Sequence, residues 1–267
     1  MVTFHLILLA VVQGLTEFLP VSSSGHLILL PMAIGTVDQG LALDVAVHVG
    51  TLGAVLMFFR TEVGQLVLGT GHLLTGRFGS LEARLTLLLA LSTVPVVVAG
   101  LVLHVTGAMA MMRSVALIGW TMIGFGLLLW WADRTGRLER RMADWSLRDA
   151  LAMGAWQAVS LIPGTSRSGI TITASRMLGY ERADGARIAM LMSIPTIMAS
   201  GALLGVDVVR AADWQFLRQG AVAAAMAFVA AYLALAFMMR LLRSVSFTPY
   251  VIYRVILGSV LLWIAYA

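Results

Sequence analysis

A carboxylate, three hydroxyls and an imidazole fall close together near the start of the chain, in Glu17-Phe-Leu-Pro20-Val-Ser22-Ser23-Ser24-Gly25-His26. Glu17 can take or give protons. Ser23 stands three residues before His26, so in a first helical turn its hydroxyl can reach the imidazole. That would make a serine–histidine nucleophile pair; alternatively the imidazole attacks phosphorus directly and carries it as a phosphohistidine. Gln13 precedes Glu17 by four and shares its helical face. A second polar break, Pro163-Gly-Thr-Ser166-Arg167-Ser168-Gly169, adds a planar charged fork suited to phosphate oxygens. Thr171 follows Arg167 by four, on the same face. Each break opens a half-helix whose free N–H groups and positive dipole end favour an anion. The combination predicts a phosphate or pyrophosphate site. Attack would be in line, with charge held by Arg167 and the helix amides. It is no Walker loop, because Gly164-Thr-Ser-Arg-Ser-Gly lacks the Gly-Lys-Ser/Thr ending.

These groups stand in hydrocarbon. The chain has 267 residues, 60% hydrophobic and 12% charged, with a mean hydropathy of +0.94. Such a composition predicts an integral membrane protein, its spans counted against a core needing about 20 helical residues. The net charge of +5 comes from arginine alone, as the chain has no lysine. Flanking apolar spans, these arginines read as topology signals and lipid-headgroup contacts, with no nucleic-acid partner expected. Cysteine is absent, which excludes disulfides and thiolate chemistry. The N-terminal apolar run has no basic lead-in and no small-residue cleavage site, so no cleaved signal peptide is expected.

Residues 4–19 and 26–34 are each too short to cross comfortably. Pro20 should end the first helix, since it lacks an N–H and disfavours the α region at Leu19. Joined through Pro20–Gly25, the two pieces predict a re-entrant hairpin that dips to the midplane and returns, tolerated there only if protein or water surrounds it. Spans are predicted at 41–60, 82–104 and 114–132, then a polar linker. The segment from 148 to 178, broken at 163–169, is a second hairpin, followed by spans at 184–206, 219–240 and 248–266.

The halves repeat. Gln13 and Gln157, Ser22 and Ser166, Ser24 and Ser168, and Gly25 and Gly169 are each 144 residues apart, while Pro20 and Pro163 fall one residue out of register. One hairpin plus three spans makes one net crossing per half, so the second half must be inverted. The expected fold is an all-α polytopic membrane protein with an inverted-topology repeat, six transmembrane helices and two re-entrant hairpins. It forms a single membrane domain over 1–267, with repeats at 1–132 and 148–267 and a cytoplasmic linker at 133–147. Thirteen arginines, from Arg60 to Arg243, fall on the linker side; Arg113, Arg210 and Arg218 fall on the other. The positive-inside rule then puts both termini and the mouth of the first hairpin on the outer face.

Plainer roles compete at several positions. Ser22 and Ser24 read equally as backbone caps satisfying freed N–H groups. Glu17 reads either as an acid–base group or as a buried ion pair with Arg167. His48, near Asp44 on the first full span, reads as a helix–helix contact before a catalyst. Arg254, deep in the last span, reads first as a structural bridge and second as a phosphate recruiter. His5, His72 and His104 receive no role. The methionines and tryptophans read as lipid-facing and interfacial filler.

Gln13-Gly-Leu-Thr-Glu17-Phe-Leu-Pro-Val-Ser-Ser-Ser-Gly-His26 and Pro163-Gly-Thr-Ser166-Arg167-Ser168-Gly169 closely resemble the two signature motifs of the bacterial undecaprenyl pyrophosphate phosphatases of the bacitracin-resistance type. Asp44…His48-Val-Gly-Thr51 and Phe247-Thr-Pro-Tyr250…Tyr253-Arg254 are secondary matches, and the resemblance spans essentially the whole chain. It implies removal of the terminal phosphate from a C55 polyprenyl pyrophosphate in the bacterial inner membrane, recycling the carrier for peptidoglycan synthesis. It also implies bacitracin resistance, since that drug sequesters the pyrophosphate form. By position, the family's catalytic residues match Glu17, Ser23, His26 and Arg167. Its phosphate-contacting positions match Ser166, Ser168 and Thr171; Gln13, Ser22 and Ser24 join them as expected substrate-binding residues.

The family's Glu-x-x-x-Glu pattern is altered here, with Gln13 in the first acidic place. A neutral amide is no general base, so Glu17 carries both proton and cation duties if both exist. The resemblance implies a divalent cation, Mg or Ca, held jointly by Glu17 and phosphate oxygens. The rival class is a transporter or flippase of a polyprenyl phosphate lipid or small anion. The sequence leaves the oligomeric state open between monomer and homodimer.

Overall fold

The structure, a computed structural model, describes residues 2–34, 41–108, 112, 114–211 and 214–267. Arg113 and the side chain of Arg210, two of the three arginines opposing the linker-side majority, lie outside the described residues.

The first break behaves as its sequence dictates. Helix α1 (Val2–Phe18) stops short of Pro20, and α2 (Ser23–Ile34) starts three residues after it. The break is therefore only Leu19–Ser22, and Ser23 and Ser24 are the opening residues of α2. α3 (Leu41–Phe58) follows. At Phe59 the chain turns by 92° into α4 (Arg60–Leu74), a helix in an interval where hydropathy marks no span. α5 (Leu81–Val105) and α6 (Val115–Thr135) are long and apolar, each N-capped by a serine, Ser80 and Ser114. A 3₁₀ turn (Met142–Asp144) lies in the linker. α7 (Leu147–Val159) and α8 (Arg167–Met177) form the second hairpin, and α9 (Arg182–Ala211), α10 (Trp214–Leu241) and α11 (Thr248–Tyr266) complete the chain. Among the described residues, four helices are long and apolar enough to cross a membrane, or five if the bent α3–α4 pair counts as one span. The described residues form no strand beyond one isolated bridge, Arg140 to Tyr180.

Packing follows one pattern in both halves. α1 lies on α10 as α7 lies on α5; α3 meets α10 as α9 meets α5; α3 meets α9, and α6 meets α11. The main core cluster runs from Phe18 and Val21 at the first break through Ile172 and Ala174 of α8 to Met190 and Leu191 of α9. Both breaks are thus bedded in protein, which a non-helical segment requires in a bilayer.

The linker is fastened by ion pairs that hydropathy does not reveal. Arg176 is fully buried and bonds Asp133 Oδ1 at 3.0 Å, where Arg182 also donates, at 2.8 Å. Arg140 grips Asp149, to which Tyr180 donates at 2.9 Å. Burial, reinforced by that bond, pushes the Tyr180 phenol up from its ordinary value.

Candidate active site

Ser22 and Ser166 hold the same unusual conformation, with φ of 72° and 69°. Non-glycine residues rarely adopt this left-handed region, and strain of this kind collects at functional sites. Each sits just before the first residue of its hairpin's second helix, and each hydroxyl meets that of the serine two places on. Ser22 and Ser24 are 3.0 Å apart, Ser166 and Ser168 3.1 Å. The two breaks then clasp. Gly164 N–H donates to Ser24 Oγ at 3.0 Å, and Ser168 Oγ donates to the Leu19 carbonyl at 3.0 Å. Gly164 has a φ of 87° and lies against Ile118 and Thr121 of α6, where a side chain would collide.

Arg254 completes the clasp. Fully buried in α11, it donates to the carbonyls of Pro20, Thr165 and Gly164 in the breaks and of Met122 and Thr121 in α6. Non-helical turns strand carbonyls, and the guanidinium fork satisfies them at a depth where water cannot. This is the structural-bridge role its sequence position suggests.

Beside the clasp lies a cleft of about 220 Å³, lined by Glu17, Ser22, Ser23, Ser24, His48, Ser160, Gly164, Ser166, Arg167, Thr196, Ile197 and Ser200. Glu17 is its centre. Oε1 accepts from Arg167 Nη2 at 3.1 Å; Oε2 accepts from Gln13 Nε2 at 2.8 Å and from Ser23 Oγ at 3.2 Å. The ion pair foreseen between Glu17 and Arg167 is present, inside a cleft with a candidate nucleophile on its wall. Only half of the Arg167 fork is engaged: Nη1 is buried with no hydrogen-bond partner. A buried guanidinium nitrogen left open at the start of a helix is suited to receive an anion's oxygen.

His48 makes the helix–helix contact expected of it, from α3 to α1, and that contact lies on the cleft wall: Nε2 is 3.2 Å from Gln13 Nε2 and 3.8 Å from Glu17 Oε2. Its Nδ1 lies 2.7 Å from the Asp44 carbonyl, so Nδ1 carries the proton and donates there, and the Nε2 lone pair accepts from the Gln13 amide. Its link to Gln13 spans 35 residues, and no local spacing signals it. Ser160, Thr196 and Ser200 were missed for the same reason.

His26 goes elsewhere. Its Nδ1 bonds the Ser22 carbonyl at 2.7 Å, one helical turn back, which turns the ring outward. Nε2 then meets Tyr253 Oη at 2.5 Å, with the rings stacked. The expected Ser23–His26 pair is therefore not formed: Ser23 donates to Glu17 instead. Thr171 is buried and donates to the Arg167 and Ser168 carbonyls of its own helix, so it steadies the turn beneath Arg167. Ser168 is spent on the Leu19 carbonyl, and Gln13 supports Glu17 from behind.

Among the described residues no three His, Cys, Asp or Glu side chains converge as a metal cage. The cleft offers one carboxylate, serine hydroxyls and, behind it, the partnerless Gln13 Oε1. Such hard oxygen donors suit a divalent cation only together with phosphate oxygens.

An all-helical, multi-pass inner-membrane protein with two interlocked helix breaks around an arginine–carboxylate cleft defines the class. Residues 6–260 match the family described as bacitracin resistance protein BacA, and the chain belongs to that family. It is 64% identical over 264 residues to an undecaprenyl-diphosphatase of Ruegeria pomeroyi, covering 99% of each chain. It is 63% identical over 267 residues to one from Roseobacter denitrificans, covering 100% of each. An undecaprenyl-diphosphatase 2 of Stutzerimonas stutzeri is 47% identical, over 97% of this chain and 96% of that one.

Proposed function

We propose that this protein is an undecaprenyl-diphosphatase: it hydrolyses undecaprenyl pyrophosphate to undecaprenyl phosphate and inorganic phosphate. That returns the carrier to peptidoglycan synthesis and, by removing the form bacitracin sequesters, confers resistance to that drug. Full-length identity to relatives bearing that name supports the substrate. The observation that carries the chemistry is the half-open Arg167 fork beside a serine held by a carboxylate.

In this reading Arg167 Nη1 and the first amides of α2 and α8 hold the terminal phosphoryl oxygens. Ser23 Oγ attacks the phosphorus, and Glu17 takes its proton at Oε2. Ser23 is favoured over His26 as nucleophile, because Ser23 lines the cleft while Tyr253 occupies the outer nitrogen of His26. His26 is then a positioning residue that holds the Ser22 carbonyl and the strained break. Ser22, Ser24, Ser166, Ser168 and Thr171 shape the phosphate seat, three of them from the cleft wall. A divalent cation, Mg or Ca, would be held by Glu17 and Ser23 together with the substrate, and would neutralise pyrophosphate charge.

The matching breaks and the exchanged helix pairings support an inverted repeat of 1–132 and 148–267 about the 133–147 linker. Six spans and two re-entrant hairpins follow from that repeat, and the arginine excess favours periplasmic termini and an outward cleft mouth. The apolar hollow lined by Leu56, Leu66, Leu89, Ile194 and Met198 lies one α9 face away from the cleft and suits the polyprenyl tail. The test is phosphate release from undecaprenyl pyrophosphate by the detergent-solubilised protein. Release that falls roughly 10²-fold or more in Glu17→Ala is expected; a wild-type sample that releases none overturns the proposal.

A further inference from the structure

A serine nucleophile makes the reaction a double displacement, and its second half poses a proton problem. When water attacks phospho-Ser23, the departing serine oxygen needs a proton at the moment the water must lose one. Glu17, having received the Ser23 proton, is the acid for that departure and cannot also be the base. Among the described residues lining the cleft it is also the only carboxylate. A second proton acceptor must therefore face the cleft.

We infer that His48 is this acceptor, the general base for hydrolysis of the phosphoserine; the inference rests on the proposed phosphatase reading. The geometry is specific. His48 lines the cleft, and the Asp44 carbonyl fixes its tautomer so that Nε2 presents a lone pair. That lone pair meets the Gln13 amide, whose nitrogen also donates to Glu17. The Gln13 amide holds that lone pair in the resting cleft and yields it to the attacking water, keeping its bond to Glu17. The groups around His48 are Glu17 and Gln13 on α1, Arg167 of α8 across the Glu17 carboxylate, and Asp44 on its own helix. α9 brings Thr196 and Ser200 to the same cleft, and α10 meets α3 with Ala224 and Phe228 at Gly50 and Gly53.

The steps balance. Ser23 Oγ bonds to the terminal phosphorus as the bond to the bridging oxygen breaks. Its electron pair leaves on the lipid phosphate, and the serine proton goes to Glu17. Water oxygen then bonds to that phosphorus and gives its proton to His48 Nε2. The Ser23–phosphorus bond breaks, the serine oxygen regains its proton from Glu17, and inorganic phosphate departs. His48 returns its proton to solvent through the cleft.

The experiment uses the full-length detergent-solubilised protein and undecaprenyl pyrophosphate labelled with ³²P in the terminal phosphate. In His48→Gln, which keeps an acceptor for Gln13, turnover should fall on the order of 10²-fold or more. Acid-stable label should accumulate on the protein, and in His48→Gln/Ser23→Ala it should vanish. Imidazole in the buffer should restore part of the turnover of His48→Ala. Wild-type turnover in His48→Gln, or lost turnover with no retained label and no imidazole rescue, overturns the role of His48. Either result leaves the phosphatase reading intact so long as the wild type releases phosphate; only a wild type without release would sink that.

Discussion

The two helix breaks share a backbone and differ in chemistry. Both carry a left-handed serine, a serine pair and a glutamine on the entering helix. Gln13 reaches His48 on α3, and Gln157 reaches Thr196 on α9 at 3.0 Å. At the same register, however, Glu17 in the first half corresponds to Leu161 in the second, Ser23 to Arg167, and His26 to Ile170. A duplicated frame has been divided between two tasks. In the proposed mechanism the first break moves protons and supplies the attacking oxygen, and the second holds the anion. Catalysis needs both in one cleft, and the clasp between Ser24 and Gly164 and between Ser168 and Leu19 brings them together.

The sharpest way to break the comparison is to strike mates. Ser23→Ala and Arg167→Ala should each lower kcat on the order of 10³-fold. Only Arg167→Ala should also raise KM, because it removes charge that the bound pyrophosphate already feels; equal KM values in steady-state assays would refute the division. A smaller contrast comes from the glutamines. Gln13→Ala should cost roughly 10-fold in kcat by freeing Glu17 and His48, whereas Gln157→Ala should cost less than about 3-fold, since it supports no carboxylate. Equal losses would mean that both serve the frame alone. The smallest effect concerns the strained serines. Ser22→Gly and Ser166→Gly should each leave thermal stability unchanged or raise it by about 1 kcal/mol, by relieving positive φ. Turnover should fall in both as the hydroxyl pairs are lost, and a destabilisation measured by thermal melting would show that the hydroxyls outweigh the strain.

The two helix breaks were legible because proline and clustered serines leave a local signature, and the 144-residue spacing is visible without coordinates. That Glu17, Ser23 and Arg167 line one cleft was legible for the same reason. His48 makes the helix–helix contact its place on an apolar span suggested, between α3 and α1, but that the contact lies on the cleft wall depends on neighbours 35 residues away and is not legible in the sequence. The Ser23–His26 contact is not formed, since a three-residue spacing permits it but cannot foresee the carbonyl and the tyrosine that claim the ring. Helix α4 escaped because Arg60-Thr-Glu62 and the glycines after it dilute the hydropathy that marks a span. The linker ion pairs, Asp133 with Arg176 across 43 residues and Arg140 with Asp149 across nine, follow no helical spacing and leave no periodic trace.

Arg254 bears on motion. Its guanidinium joins both breaks to α6 through five carbonyls at zero solvent exposure. A carrier that rocked one hairpin past the other, opening the cleft first to one face and then to the opposite one, would have to strip a buried cation of these partners in each cycle. Each stranded polar group in such a seam costs several kcal/mol, roughly, and a stranded charge costs more. The junction of the two breaks with α6 is in effect riveted, so rocking one hairpin past the other carries a heavy penalty.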